Sequence, residues 1–323
     1  MQSYQNQNVL FVTTKNLDYL RNTQEIRLIE QTAKSVTVLG SREKSYAKRL
    51  LHVYGKLCTM SMKPFDAVFL GFAPQLVLPL FAHRFRKKTV DIDFFISVYD
   101  TMVCDRKKLR PGSLGAKFCH WIDTRTLKLA DHVVSDTNAH GDYFSAEFGK
   151  ARSAIETLYL DADTSIYYPR PQVKPPELKE QFIVLYFGSV LPVQGVDVIM
   201  QADDPRIHFY FIGPVDQKVT PTESPNITYI RWLSQPELAE RISQADLCLA
   251  GHFNKENGKA NRTIPGKAYI YEAMKKPMIL GDNAATRERY TDGMPGITFV
   301  EMGSPEALRD GILQCMKESG YTE

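Results

Sequence analysis

Short runs of apolar, often β-branched residues recur along the chain, each about one strand long and each followed by a longer stretch with helical spacing. In the first half they are 8–14 (NVLFVTT), 35–40 (SVTVLG), 66–72 (DAVFLGF), 89–93 (TVDID) and 132–136 (HVVSD). The rhythm breaks at YYPRPQVKPPELKEQ, where Pro169, Pro171, Pro175 and Pro176 stand among polar residues, a composition suited to a linker. It resumes with FIVLYFGS, HFYFIG, NITYIRW, DLCLAGHF, PMILGD and ITFVEM. Strand-helix alternation predicts a parallel sheet with helices on its faces. Occurring twice, it predicts an α/β protein of two Rossmann-like domains facing a cleft: an N-terminal domain over 1–168, a linker over 169–180 and a C-terminal domain over 181–323.

One stretch has nearly the length of a membrane span. Residues 65–82 (FDAVFLGFAPQLVLPLFA) are mostly apolar, but Asp66, Pro74, Gln75 and Pro79 interrupt them, so a buried strand, a turn and a short helix are expected. At 323 residues, with 43% hydrophobic and 24% charged residues, the chain reads as a soluble globular protein of two domains. Cys58, Cys104, Cys119, Cys248 and Cys315 are scattered and form no C-x-x-C pair, which points away from a disulfide framework or zinc site and towards a reducing cytoplasm. The opening MQSYQNQN is polar and does not resemble an export signal.

Charge is distributed unevenly. Residues 1–150 hold 22 Lys and Arg against 14 Asp and Glu, a balance of +8, which leaves −5 for the rest of a chain whose net charge is +3. Basic residues cluster in HRFRKK (83–88) and across 105–128, where Leu114, Phe118, Trp121 and Ile122 recur at helical intervals beside Lys117, Arg125 and Lys128. Such a helix either turns its apolar side to the domain core or lies on an anionic membrane surface; the added cations favour the membrane.

In an open α/β sheet, ligands bind beyond the carboxyl ends of the strands, where helix N-termini offer unpaired N–H groups and partial positive charge. The C-terminal candidates are Gly188 and Ser189 after FIVLYF, Gly213 after FYFI, the loop Gly251 to Pro265, and Gly281-Asp282. In the segment NGKANRTIPGKAYIYEAM, Lys259, Arg262 and Lys267 surround a helix start at Pro265 and Gly266, an arrangement suited to a diphosphate. Glu272 follows two turns after Pro265, at a reach suited to both hydroxyls of a ribose. Spacing alone fits an ordinary basic surface helix equally well.

Four segments carry a family resemblance: DFFISVYDTMVCDRKK, LADHVVSDTNAHGDYFSAEFG, YFGSVLPVQGVDVIMQA and GKANRTIPGKAYIYEAMKKPMILGDNAATRE. In that order the chain resembles family-4 glycosyltransferases of the GT-B fold, particularly those that build bacterial surface polysaccharides such as capsule and cell wall. The resemblance implies retaining transfer of a sugar from a nucleotide-sugar held by the C-terminal domain to a glycan acceptor, expected to be lipid-linked. It implies no cofactor beyond the nucleotide-sugar, no metal, no nucleic-acid partner, and a cytoplasmic place at the inner face of the membrane. It gives Glu272 the ribose, and places the base near Gly213 and RWLSQPEL, with Trp232 and Leu233 as candidates.

The chain also departs from that family. Ser189 and Gln194 stand where many members grip the diphosphate with Arg and Lys, and Ile264 stands where a Glu usually meets the donor sugar. Glu256 reaches that place only if its loop folds back, while Lys259, Arg262 and Lys267 supply phosphate-binding charge by another route. After SPEALRDGILQCMKES little chain is left for the long helix that usually returns to the first domain.

In the first domain Asp93, Asp100 and His140 follow strands at the end expected to face the cleft, and are candidates for handling an acceptor hydroxyl. Asp100 also suits a turn or helix cap, and a lone His often serves structure. The triplets DID (91–93) and DAD (161–163) resemble the metal-binding pair of GT-A transferases, but that fold leaves the second set of nucleotide loops unexplained. Two further alternatives are a degenerate transferase serving as a nucleotide-binding scaffold and a nucleotide-sugar epimerase, which needs no acceptor.

Overall fold

The computed structural model describes residues 3–215 and 222–321. The chain divides into two compact units, Met1–Asp161 and Ala162–Glu323.

The first unit holds strands β1 (Asn8–Val12), β2 (Ser35–Leu39), β3 (Ala67–Leu70), β4 (Thr89–Asp93), β5 (His132–Ser135) and β6 (Ile155–Thr157). They form one parallel sheet in the order β2-β1-β3-β4-β5-β6. Helices cover both faces, so the central strands are apolar throughout: AVFL of β3 is buried at every position. Leu10, Val12, Val68, Leu70 and Ile92 pack with Phe81, Phe85 and Phe144 on one side, while Phe11 and Phe69 stack on the other. The apolar stretch 65–82 resolves as expected into β3, the turn Pro74–Leu76 and the start of the helix Leu78–Phe85. Among the described residues no helix is long and apolar enough to cross a membrane.

The second unit repeats the plan with β7 (Phe182–Phe187), β8 (Ile207–Ile212), β9 (Ile227–Ile230), β10 (Leu247–Gly251), β11 (Met278–Gly281) and β12 (Ile297–Val300). The order β12-β11-β10-β7-β8-β9 is that of a dinucleotide-binding sheet. From β7 the chain crosses to β8 on one side and returns to β10 on the other, so β7 and β10 flank the topological switch point, where such sheets bind ligands.

Ten of the twelve strands fall within the apolar runs of the sequence, and an eleventh, β8, begins one residue ahead of HFYFIG. The exception is β6, three residues at a sheet edge, too short to give a pattern. The boundary between units lies ahead of the Pro-rich stretch, which the second unit holds fast. Gln172 donates to the backbone of Gln244 and Ala245, and Lys174 pairs with Asp246 at 2.6 Å.

Candidate functional site

Three glycines shape the carboxyl edge of the second sheet. Gly188 leaves β7 with φ 138°, and Gly213 leaves β8 with φ 148°; a Cβ on Gly213 would lie 2.2 Å from the Gly188 carbonyl oxygen, so backbone meets backbone there. Gly195, φ 65°, ends the turn Pro192–Gln194, and its Cβ would fall 2.6 Å from the Phe253 carbonyl carbon. The turn after β7 thus lies directly on the chain leaving β10, and the Phe253 N–H donates to the Gln194 carbonyl at 3.2 Å.

Against this corner the helix Gly266–Ala273 begins, with Pro265 as its N-cap and no side chain capping its first N–H groups. Its second residue, Lys267, is 6% exposed. The ammonium donates to Gln194 Oε1 at 2.5 Å and lies 4.2 Å from the centre of the Tyr186 ring, beside Gly188. Among the described residues no carboxylate pairs with it, and burial pulls its pKa down to about 7. A buried ammonium with only an amide oxygen and an aromatic face for company costs free energy that an anion would offset. The helix start supplies partial positive charge at the same place.

The other predicted donor-site residues take varied positions. Ser189 is exposed, and Gln194, read as a missing charge, is the residue that holds Lys267. Lys259 and Arg262 lie on and just after the turn Gly258–Asn261, with the Arg262 guanidinium over Gly258. Trp232, beyond β9, is 74% exposed, and Leu233 half-buried. Ile264 is buried as an apolar side chain, and Glu256 is exposed.

Glu272 is engaged by two neighbours on the following helix and its end. Arg289 donates to both its oxygens at 3.0 Å, and the Tyr290 hydroxyl donates to Oε2 at 2.9 Å. With three of about four acceptor positions filled, it can take one further hydroxyl on Oε1, not a diol on both oxygens. It stands five positions beyond Lys267, about 7.5 Å along the helix axis and on another face. There it lines a cavity of about 420 Å³ with Tyr290 and the starts of β11 and β12.

The three acceptor-side candidates of the first unit, expected to handle a hydroxyl, are all buried and engaged by neighbouring groups. Asp93 receives two bonds from Arg21, at 2.9 and 3.2 Å, and Arg21 also pairs with Glu25 at 3.3 Å. Burial, and then Asp93, push Glu25 well above its ordinary pKa. Asp100 opens a π-helical turn, Asp100–Asp105, its N–H donating to Ser97, as the turn reading anticipates. His140 is fully buried against Phe144, its Nδ1 2.6 Å from Asp136. Burial pushes Asp136 up, yet His140 and Arg21 outweigh it and hold the carboxyl below its ordinary value. The Asp-x-Asp triplets are likewise engaged: Asp91 takes Tyr4 and His132, Asp161 pairs with Arg27, and Asp163 binds Ser165.

Sequence reading missed Asp123, which gathers the loop after β4 by accepting from Ser97, Val98, Tyr99 and Gln75. Its signal was a carboxylate on the buried stripe of the helix Leu114–Leu129, beside Cys119, Thr126 and Leu127. On that helix Leu114, Phe118 and Trp121 are 86%, 61% and 54% exposed, so they do not serve the core. In HRFRKK, by contrast, Arg84 and Lys88 are spent on the backbone carbonyls of Met60 and Phe65.

No family model matches the chain, and no curated protein matches it by sequence. Solved structures do. HepE from Anabaena in complex with UDP-glucose matches with a TM-score of 0.65 at 12% identity, over 98% of this chain and 91% of that one. Sucrose-phosphate synthase from Thermosynechococcus elongatus gives a TM-score of 0.68 at 12% identity, with the same coverage. The catalytic domain of starch synthase IV from Arabidopsis thaliana, bound to ADP and acarbose, gives 0.65 at 8%, over 98% and 93%. At these identities the likeness shows the fold, which is that of GT-B glycosyltransferases.

Proposed function

We propose that the second unit binds a nucleotide-sugar by its diphosphate and that the protein transfers the sugar, with retention, to a hydroxyl of a lipid-linked glycan in cell-surface polysaccharide synthesis. The observation that carries this reading is Lys267: a buried ammonium with no carboxylate partner among the described residues, at an uncapped helix start, beside the switch point of the sheet. In the transfer, the bond from the sugar C1 to the diphosphate oxygen breaks and one from C1 to the acceptor oxygen forms, while the acceptor proton leaves with the nucleoside diphosphate or to water. Negative charge grows on the departing diphosphate, where Lys267 and the helix N–H groups favour the transition state over the bound donor. Such stabilisation needs no metal. Glu272, oriented by Arg289 and Tyr290, accepts one ribose hydroxyl, and the exposed Trp232 offers a face for the base.

Similar folds bind UDP, UDP-glucose or ADP in HepE and starch synthase IV, which supports a nucleotide donor. Retention of configuration, the polysaccharide role and a place at the inner membrane face rest on the sequence resemblance and on the basic, apolar helix Leu114–Leu129. A second reading, a nucleotide-binding scaffold without turnover, is favoured by the buried Ile264. A screen of nucleotide-sugars for hydrolysis and for transfer to membrane-extracted lipid-linked glycans, with and without EDTA, separates the two. Turnover in EDTA, with the donor's anomeric configuration kept in the product, is expected; binding without turnover of any donor selects the scaffold.

A further inference from the structure

Two hollows meet on the helix Leu114–Leu129, divided by the half-exposed Trp121, which lines both. One, of about 490 Å³, is apolar, formed by Leu76, Pro79, Leu80, Phe118 and Ile122 with Tyr54. Even its tyrosine hydroxyl is turned to protein, donating to the Leu76 carbonyl at 2.5 Å. Leu80 is 59% exposed at its rim, and Phe118 stacks obliquely beside Trp121 with ring centres 5.8 Å apart. The other, of about 520 Å³, is mixed: Tyr99, Ala116 and Trp121 give it a mainly apolar lining into which Lys117, His120, Thr124 and Glu147 bring polar groups, with His120 Nε2 3.3 Å from Glu147. Among the described residues no carboxylate pairs with Lys117, Arg125 or Lys128, all exposed on this helix.

An apolar trough, an indole at the boundary and, in the adjoining mixed hollow, an ammonium with no carboxylate partner among the described residues match an amphiphile whose head is an anion. We propose that this face holds one membrane lipid, a hydrocarbon chain in the trough beside Leu80 and Phe118 and an anionic phosphate head at Lys117. The surplus of +8 over residues 1–150 favours the same partner, since an anionic leaflet attracts what a neutral surface does not. The site deepens the membrane part of the reading above: the chain grips a single lipid rather than only resting on the leaflet.

The chain has two tryptophans, Trp121 and Trp232, so W232F leaves Trp121 as the reporter. The probe is dihexanoyl phosphatidylglycerol below its micellar concentration, with dihexanoyl phosphatidylcholine as the neutral control. The expected result is a saturable blue shift of Trp121 emission with the anionic lipid and a weaker one with the neutral lipid. L80E, at an exposed position that leaves folding intact, should weaken the response at least about tenfold by placing a charge where the chain lies. K117E should abolish the preference for the anionic head. Absence of a saturable shift, indifference to L80E, or a shift that follows protein concentration because a second copy covers the trough, each overturns the proposal. Calorimetric titration of the wild-type protein with nucleotide-sugars keeps the two claims separate: failure of the lipid response leaves donor binding standing, and failure of donor binding leaves the lipid site standing.

Discussion

The ammonium of Lys267 donates to the side-chain oxygen of Gln194 at 2.5 Å, tying the start of the helix Gly266–Ala273 to the turn after β7. Gln194 therefore does the opposite of what its place in the sequence suggested: it replaces no charge but seats one brought from another loop. Gln194→Leu removes the acceptor and should lower stability by about 2 kcal/mol at pH 6, where Lys267 is charged. At pH 9 the loss should be much smaller. Urea unfolding at the two pH values reads the difference, and equal losses would mean the bond does not serve the charge.

The low pKa of Lys267 also sets the pH dependence of stability. Between its folded value of about 7 and its ordinary 10.5, the unfolded chain holds a proton that the folded one lacks. By linkage this group makes stability rise with pH across that window. K267M should flatten the rise and stabilise the protein near pH 6. A K267M unfolding curve that parallels the wild type from pH 6 to 9 would show Lys267 to be hydrated after all.

A nucleotide-sugar diphosphate has no proton to lose near neutrality, so its binding isolates the lysine. An anion raises the pKa of the ammonium beside it, and binding above pH 7 must then draw in a proton. Affinity should fall as pH rises from 6.5 to 8.5, with proton uptake visible as a dependence of calorimetric heat on the buffer. A flat profile would place the diphosphate elsewhere.

Glu272 has one open acceptor position, on Oε1. E272Q should weaken nucleoside diphosphate binding by about 1.5 kcal/mol, roughly tenfold, the size of one hydrogen bond to a charged group. Unfolding temperature serves as the control for the lost Arg289 pair. Full affinity in a folded variant would confine Glu272 to holding Arg289 and Tyr290.

Asp93 is a buried counter-ion to Arg21. Asp93→Asn removes the carboxylate that takes two bonds from buried Arg21 and should cost up to about 3 kcal/mol of stability, less what Glu25 recovers by ionising beside Arg21 once Asp93 no longer raises its pKa. Denaturant unfolding checks it; a variant of unchanged stability that had lost transfer would return Asp93 to the acceptor.

The strands were legible because a sheet covered on both faces needs continuous apolar runs, and AVFL or FIVLYF carry no other message. The loop proposed to hold the donor was legible as charge beside a helix start. What pattern could not convey was partnership across distance. That Lys267 meets Gln194, 73 positions earlier, follows from strand order, as does the pairing of Asp93 with Arg21 and of Glu272 with Arg289. Each of these residues looks the same in sequence whether it faces a substrate or a neighbour. Leu114, Phe118 and Trp121 show the same limit from the other side, since helical spacing does not say which stripe meets the core.

The central claim is that Lys267 receives the diphosphate. Calorimetric titration of wild type and K267M with a panel of nucleotide-sugars at pH 6.5 tests it most directly. The account predicts that at least one donor binds the wild type and that K267M, folded and at least as stable, binds it about a hundredfold more weakly, as loss of a desolvated charge-to-phosphate bond requires. Equal affinity in the two proteins would contradict it.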